Sequence, residues 1–199
     1  MTCDDPATEP IPGLTEAARA AIESNGFRNG ILAIDGPSGS GKSSFADALV
    51  ARLAELGRPP LLIRTDDYAT WDRPASWWPE LERDVLTPFS LGHDIAYRPR
   101  VWHCGEATVG PVRRRAWSPL LILEGVTSAR RVLADRVDHA FWIDGPSAPE
   151  RLERTVTRDG EAQRPLLAAW QRFESGWFAV DGTRARCDVI DFGEGENPL

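Results

Sequence analysis

Apolar residues in this chain come in short unbroken runs, separated by stretches where they recur every three or four positions. Ile31-Leu32-Ala33-Ile34-Asp35, Leu61-Leu62-Ile63-Arg64-Thr65 and Leu120-Leu121-Ile122-Leu123-Glu124-Gly125 are such runs. Each is bounded by turn residues and reads as a strand buried on both faces, as in a parallel sheet. His139 to Ile143 predicts a fourth strand and Asp188 to Phe192 a last, short one. The intervening stretches have the helical period. An Ala-rich run from Thr15, read as an N-cap, to about Asn25 predicts a helix that Gly26 stops. After Lys42, the residues Phe45, Leu49, Leu53 and Leu56 share one face until Gly57, Pro59 and Pro60 end the helix. Glu150 to Arg158 predicts a charged helix, and Pro165 to Phe178 one with a Trp/Phe stripe. Residues 69–117 break this alternation. They are rich in Trp (Trp71, Trp77, Trp78, Trp102, Trp117), Pro and Arg, with one helix expected from Pro79 to about Pro88. They read as an insertion over the C-terminal edge of the sheet, where open α/β sheets hold ligands.

At 199 residues the chain has room for one α/β domain with a sizeable core. We place that domain at 14–193, between flexible tails at 1–13 and 194–199. The net charge of −7 argues against binding to a nucleic acid polymer, which needs a basic surface. Cys3, Cys104 and Cys187 are far apart and suggest neither a zinc site nor a disulfide framework. No apolar run approaches a membrane span, and the acidic, Pro-containing N-terminus lacks the order of a signal peptide. A cytoplasmic protein without membrane contact is the expectation, with a homodimer left open.

The chemistry begins between the first strand and the helix after it. Gly36-Pro37-Ser38-Gly39-Ser40-Gly41-Lys42-Ser43 is a complete G-x-x-x-x-G-K-S phosphate-binding loop. Lys42 is the only lysine beside 22 arginines, so a compact ammonium is written where a planar guanidinium would not fit. Backbone N–H groups of Ser38 to Lys42 would line a nest for phosphates, the following Ser44 lying in the same helical turn. Ser43 would put its hydroxyl on Mg²⁺, with ATP as co-substrate. Glu124, ending an otherwise apolar strand expected beside the first, would face Ser43 and associate with that metal.

Asp66 and Asp67 follow the second strand and, on an extended chain, point opposite ways. Asp66 is our choice for the carboxylate that accepts a proton from an alcohol during phosphoryl transfer; Asp67 is a metal or substrate-positioning alternative. Arg151, Arg154 and Arg158 recur at i, i+3 and i+7, so one helix face carries three guanidiniums. A lid at about 148–164 closing over the transferring group needs such a display, with Arg154 and Arg158 leading. Arg113-Arg114-Arg115 reads as solvated loop charge, and the scattered His93, His103 and His139 receive no role. Trp71, Trp77, Trp78 and Trp102 suit stacking on an aromatic acceptor or a small core equally.

The order strand, G-P-S-G-S-G-K-S, strand, D-D-Y, Trp-rich insertion, strand ending E-G, arginine helix and R-D resembles the uridine kinase-like group of P-loop kinases, which includes phosphoribulokinase and the bacterial pantothenate kinases. The resemblance covers residues 30–192. W-W-P-E-L, Y-R-P-R-V-W and W-Q-R-F-E look like a bacterial branch of loosely assigned substrate. It implies a P-loop NTPase fold, a three-layer sandwich on a mostly parallel five-stranded sheet. It also implies an ATP–Mg²⁺-dependent kinase acting on a hydroxyl of a small metabolite, a nucleoside being one candidate. Asp66 matches the family's aspartate after the second strand, Glu124-Gly125 its E-G pair, and Arg154 to Asp159 its R-x-x-x-R-D lid segment. The family's Tyr-Asp pair for the nucleoside is not matched; near Tyr97 the chain reads R-P-R-V-W. Asp67, Tyr68, Tyr97, Arg100 and Trp102 are the acceptor contacts that remain. The competing reading is a nucleotide-dependent regulatory ATPase or switch without an acceptor. The absence of a guanine-reading N-K-x-D, which would need a second lysine, argues against a Ras-like GTPase.

Overall fold

The computed structural model describes residues 13–190 except Cys104. Apart from Gly13, the tails expected at the two ends lie outside the described residues, as do the final residues of the last expected strand. A helix, α1 (Leu14–Asn25), leads into strand β1 (Gly30–Asp35), the phosphate loop, and helix α2 (Lys42–Glu55). Strand β2 (Leu61–Arg64) ends in a 3₁₀ turn, Thr65–Asp67. The insertion holds helices α3 (Trp78–Leu81) and α4 (Thr87–Ser90) and four short strands: β3 (Ile95–Tyr97), β4 (Arg100–His103), β5 (Glu106–Val109) and β6 (Arg113–Arg115). The chain then returns to the main sheet through β7 (Leu120–Glu124) and β8 (His139–Ile143). Helices α5 (Ala148–Asp159) and α6 (Arg164–Asp181) and strand β9 (Asp188–Ile190) complete it.

The main sheet has five strands in the order β2-β7-β1-β8-β9, all parallel. The unbroken apolar runs have a direct explanation, since alternate residues leave each strand on opposite faces and both faces are covered. Leu32, Ile34, Leu120, Ile122, Phe141 and Ile143 pack under α1 and α2 with Phe45, Leu49 and Leu53. Ile31, Ile63, Leu121 and Leu123 pack on the other face against Trp77, Leu81, Val85 and Leu86 of the insertion. Each of these fully buried aliphatic side chains contributes about 1.5–3 kcal/mol. The result is three layers, helices on both sides of one sheet, with β1 at its centre.

Several boundaries differ from the sequence reading for local reasons. Gly13, in the left-handed region, precedes α1, so Thr15 is inside the helix and caps nothing. Leu56 closes α2 as an exposed residue, one position past the helix and outside the buried stripe that ends at Leu53. The insertion helix runs longer than expected and is broken by a π turn, Glu82–Leu86. Pro88 has no N–H for the carbonyl of Asp84, and the turn before it widens so that Thr87 donates to Glu82. Arg113-Arg114-Arg115, read as loop charge, is strand β6, antiparallel to β3. The β4–β5 hairpin carries Gly105 at its tip against the side chain of Gln163, next to α6.

Candidate active site

β1 delivers Asp35 to the mouth of the loop. Its carboxylate is fully buried and accepts three backbone N–H bonds, from Gly36 at 2.7 Å, Thr127 at 3.0 Å and Ala129 at 2.8 Å. It therefore staples the segment after β7 to the first loop residue. Burial nevertheless pushes its pKa up to about 6, against the pull of those bonds and of Lys42. The loop ends in the first turn of α2, and Lys42 is only 7% exposed. Its Nζ donates to the carbonyl of Pro37 at 2.9 Å, so the ammonium folds back across the loop that carries it.

Opposite the loop stands Glu124, at the end of β7. The register pairs it with Ile34 on one side and Arg64 on the other. Ser43 donates to its Oε1 at 3.2 Å, the juxtaposition expected from the motif. Its Oε2 accepts from Nη1 of Arg64 at 2.8 Å, and Nη2 of Arg64 reaches Asp47 at 2.6 Å. The sequence offered no sign of Arg64, one polar residue at a strand end. Glu124 is 3% exposed; burial and the nearby charge of Asp66 raise its pKa, while Lys42 and Arg64 oppose them. Asp66 is exposed and has no side-chain hydrogen bond among the described residues. A hard oxygen pair, the hydroxyl of Ser43 and the carboxylate of Glu124, with a second carboxylate close by, suits Mg²⁺, which binds few protein ligands and keeps its waters. No group of three or more His, Cys, Asp or Glu that could cage a metal occurs among the described residues.

Asp66 and Asp67 diverge as expected, but through a 3₁₀ turn rather than an extended strand. Asp67 is held: Tyr97 donates to its Oδ2 at 2.7 Å and Arg113 to Oδ1 at 3.0 Å. Burial, with the bond to Asp67 next, pushes the Tyr97 hydroxyl up to about 12. These residues line a cleft of about 500 Å³ with Arg64, Arg115 and Trp117 along the edge of β2. The other acceptor candidates go elsewhere. Tyr68 is buried in the core between Trp77 and Tyr97, its stacking geometry being structural. Arg100 pairs with Glu80 at 3.0 Å, and Trp102 packs edge-on against Trp71, which in turn meets Trp170 of α6. Trp77 and Trp78 flank the buried guanidinium of Arg130 together with Trp177. Trp71, Trp77, Trp78 and Trp102 thus all pack on other side chains of the chain.

The arginine helix begins at a capping box in which Glu150 bonds Ser147, so Glu150 is committed to the helix start. Arg154 and Arg158 are exposed, and Arg158 forms a two-pronged pair with Asp159 at 2.7 Å. Arg151 faces inward instead. It donates to the carbonyl of Pro146 at 2.6 Å, and its charge lies near Glu174 and Asp144. Its main chain abuts the loop: a Cβ placed on Gly39 would sit 2.8 Å from the carbonyl oxygen of Arg151. Beside it is a residue the sequence reading passed over. Glu174 of α6 is 1% exposed and accepts from the backbone N–H of Ser38 at 3.0 Å and its hydroxyl at 2.8 Å. The legible signal was an acid inside an inward stripe, Leu167, Trp170, Glu174, Trp177. The N–H of Ser38, expected to face phosphate, is directed at that carboxylate.

No family profile and no curated protein matches the chain. Solved structures do match. A candidate uridine kinase from Bacillus stearothermophilus superposes with a TM-score of 0.64 at 16% identity, over 89% of this chain and 96% of that one. A candidate fructose transport system kinase from Silicibacter sp. TM1040 gives 0.60 at 19% identity, over 90% and 98%. The YGR205w protein gives 0.53 at 13%, over 85% and 84%. The fold is that of the uridine kinase-like P-loop kinases. Among the described residues, no helix is long and apolar enough to cross a membrane.

Proposed function

We propose that the protein is an ATP–Mg²⁺-dependent kinase that transfers a phosphoryl group to a hydroxyl of a small metabolite. The observation that carries this reading is the contact of Ser43 with Glu124 at 3.2 Å, within reach of the charges of Lys42 and Asp66. It gathers what phosphoryl transfer needs: oxygen ligands for a cation, an ammonium for the phosphates and an uncommitted carboxylate. The fold match to kinases supports it.

In this scheme the N–H groups from Gly39 to Lys42 and the start of α2 hold the phosphates, and Lys42 turns from Pro37 toward them. Ser43 and Glu124 hold Mg²⁺, which when bound screens the charge of the phosphates. The acceptor lies in the cleft of Asp67, Tyr97 and Arg113, whose volume is in the range of small-molecule sites. Its hydroxyl reaches from that cleft toward the neighbouring Asp66, which accepts the proton as the bond from the acceptor oxygen to the γ-phosphorus forms and the bond from that phosphorus to the departing ADP oxygen breaks. Positioning and charge stabilisation supply most of the rate. Arg154 and Arg158 add positive charge when α5 closes, and closure excludes water as a rival acceptor.

ATP consumption with Mg²⁺ against pooled nucleosides, pantothenate, sugars and sugar phosphates tests the reading. Turnover confined to one pool is the expected result. Turnover at the same rate with every pool and with none would replace the kinase with the regulatory ATPase.

A further inference from the structure

Of the run Arg113-Arg114-Arg115, only Arg113 has a part in the transfer scheme. The register of β6 on β3 sets Arg113 opposite Tyr97 and Arg115 opposite Ile95. Residues directly opposite in an antiparallel pair share a face, so Arg113 and Arg115 both turn to the cleft and Arg114 leaves on the other side. Accordingly, Arg113 and Arg115 line the cleft and Arg114 does not. The charges of this cleft are unevenly spent. Arg64 is held by Glu124 at 2.8 Å and Asp47 at 2.6 Å, and Arg113 by Asp67 at 3.0 Å. Arg115 makes no ion pair among the described residues; it donates only to the carbonyl of Arg114, at 3.5 Å. Asp94, the residue before β3, is turned instead to the backbone N–H of Trp117 at 2.9 Å. The cleft therefore has carboxylates at one end, Asp67 in its wall and Asp66 beside it, and an unspent guanidinium roughly 7 Å further along β6. Pro60, Ala116 and Trp117 wall that second end with apolar surface, where the field of a charge is screened less than in open water.

Resting on the kinase reading, we propose that the acceptor is an anion, a hydroxy acid or a phosphorylated sugar, whose carboxylate or phosphate is held by Arg115. The guanidinium fork fits either group with two parallel N–H donors. The charge pattern also fixes the direction of entry. An acceptor placed the other way round brings its anion against Asp66 and Asp67, like charges in a narrow cleft. Placed with its anion on Arg115, it delivers its hydroxyl to the Asp66 end. A neutral nucleoside offers Arg115 no charge, and the Tyr-Asp pair that would hold one is not matched in R-P-R-V-W near Tyr97. Arg115 holds the acceptor away from the reacting atoms, so it acts on affinity rather than on the chemical step.

ADP formation with ATP and Mg²⁺ tests this on matched acceptors: hydroxy acids against their amides, and sugar phosphates against the free sugars. The charged member of one pair should turn over, and its neutral partner about tenfold or more slowly at the same sub-saturating concentration. The arm that responds tells carboxylate from phosphate. Arg115→Gln should raise KM for that acceptor about tenfold, the loss of one charge-assisted pair, and leave kcat within about threefold. Arg115→Lys should recover part of the loss and serves if R115Q folds poorly. Arg114→Gln removes the same charge from the opposite face and should leave KM where it is. Equal turnover of charged and neutral partners, or an unshifted KM in R115Q, overturns the anionic acceptor and leaves the kinase standing. A KM raised equally by R115Q and R114Q traces the effect to the general field of the protein and likewise overturns the site. ATP consumption at one rate with every acceptor and with none, or no consumption at all, overturns the kinase reading and the anionic acceptor with it.

Discussion

Asp35 makes a quantitative claim about the base of the phosphate loop. Its carboxylate has no contact with solvent, and burial lifts its pKa from 3.8 to about 6 although three N–H groups point at it. At about 1.4 kcal/mol for each tenfold change in proton affinity, that displacement amounts to roughly 3 kcal/mol. The sign follows from linkage. Between about pH 4 and 6 the folded chain keeps a proton that the unfolded chain has released, so stability falls as pH rises through this window. The contribution is fully present below 3.8 and lost above about 6. Asp35→Asn does not titrate. It also turns an amide N–H toward a backbone N–H, of Ala129 or of the Gly36/Thr127 pair, and so starts less stable. The wild type's advantage over D35N should therefore shrink by roughly 3 kcal/mol between about pH 4 and pH 7. Urea unfolding of both proteins at three pH values in that range measures it. Other buried carboxylates titrate in both proteins and cancel in the difference. An advantage that stays constant or widens with pH would refute the reasoning and place an ionised Asp35 permanently opposite Lys42.

Other outcomes follow from the same geometry. Lys42→Ala should remove measurable ATP binding, whereas Asp66→Asn should bind ATP normally and lose about 10²–10⁴ in kcat, since only the proton acceptor is gone; full activity in D66N would assign the base elsewhere. Gly145→Ala should disable the loop from outside the motif. Its φ is +67°, and the new Cβ would lie 2.5 Å from Cα of Ser40. A lower melting temperature with weakened ATP binding is expected. Arg130→Ala should cost about 3 kcal/mol or more in chemical denaturation, because its guanidinium lies over Trp77, Trp78 and Trp177 and serves the carbonyls of Ala75 and Thr127. Burial lowers its own pKa only to about 10, so the cation persists at neutral pH and the loss should not depend on pH between 6 and 8.

Local chemistry determined the centre of this protein, and the residues themselves announce it. A strand buried on both faces must be apolar throughout, a loop that wraps phosphate must be Gly-rich, and the helix after it must show a stripe. Those rules placed β1, the loop, α2 and β7; the meeting of Ser43 and Glu124 followed only with the strand order of a P-loop fold, which sets β7 beside β1. The insertion resisted because its strands are three or four residues long and one pair forms at a distance, β3 with β6 across the fifteen residues 98–112 that hold the β4–β5 hairpin. Too few residues carry a period for it to be read. Which side chains the tryptophans meet was likewise a question of which distant elements come together, and packing brings Trp71 to Trp170 and Trp77 and Trp78 to Arg130. Arg64, Arg151 and Glu174 illustrate the limit most sharply. A charged side chain in sequence is a solvated face by default. Only the approach of β7, the loop and α6 buries Glu174 and half-buries Arg64 and Arg151, and desolvation is what turns an ordinary charge into one that can govern a site.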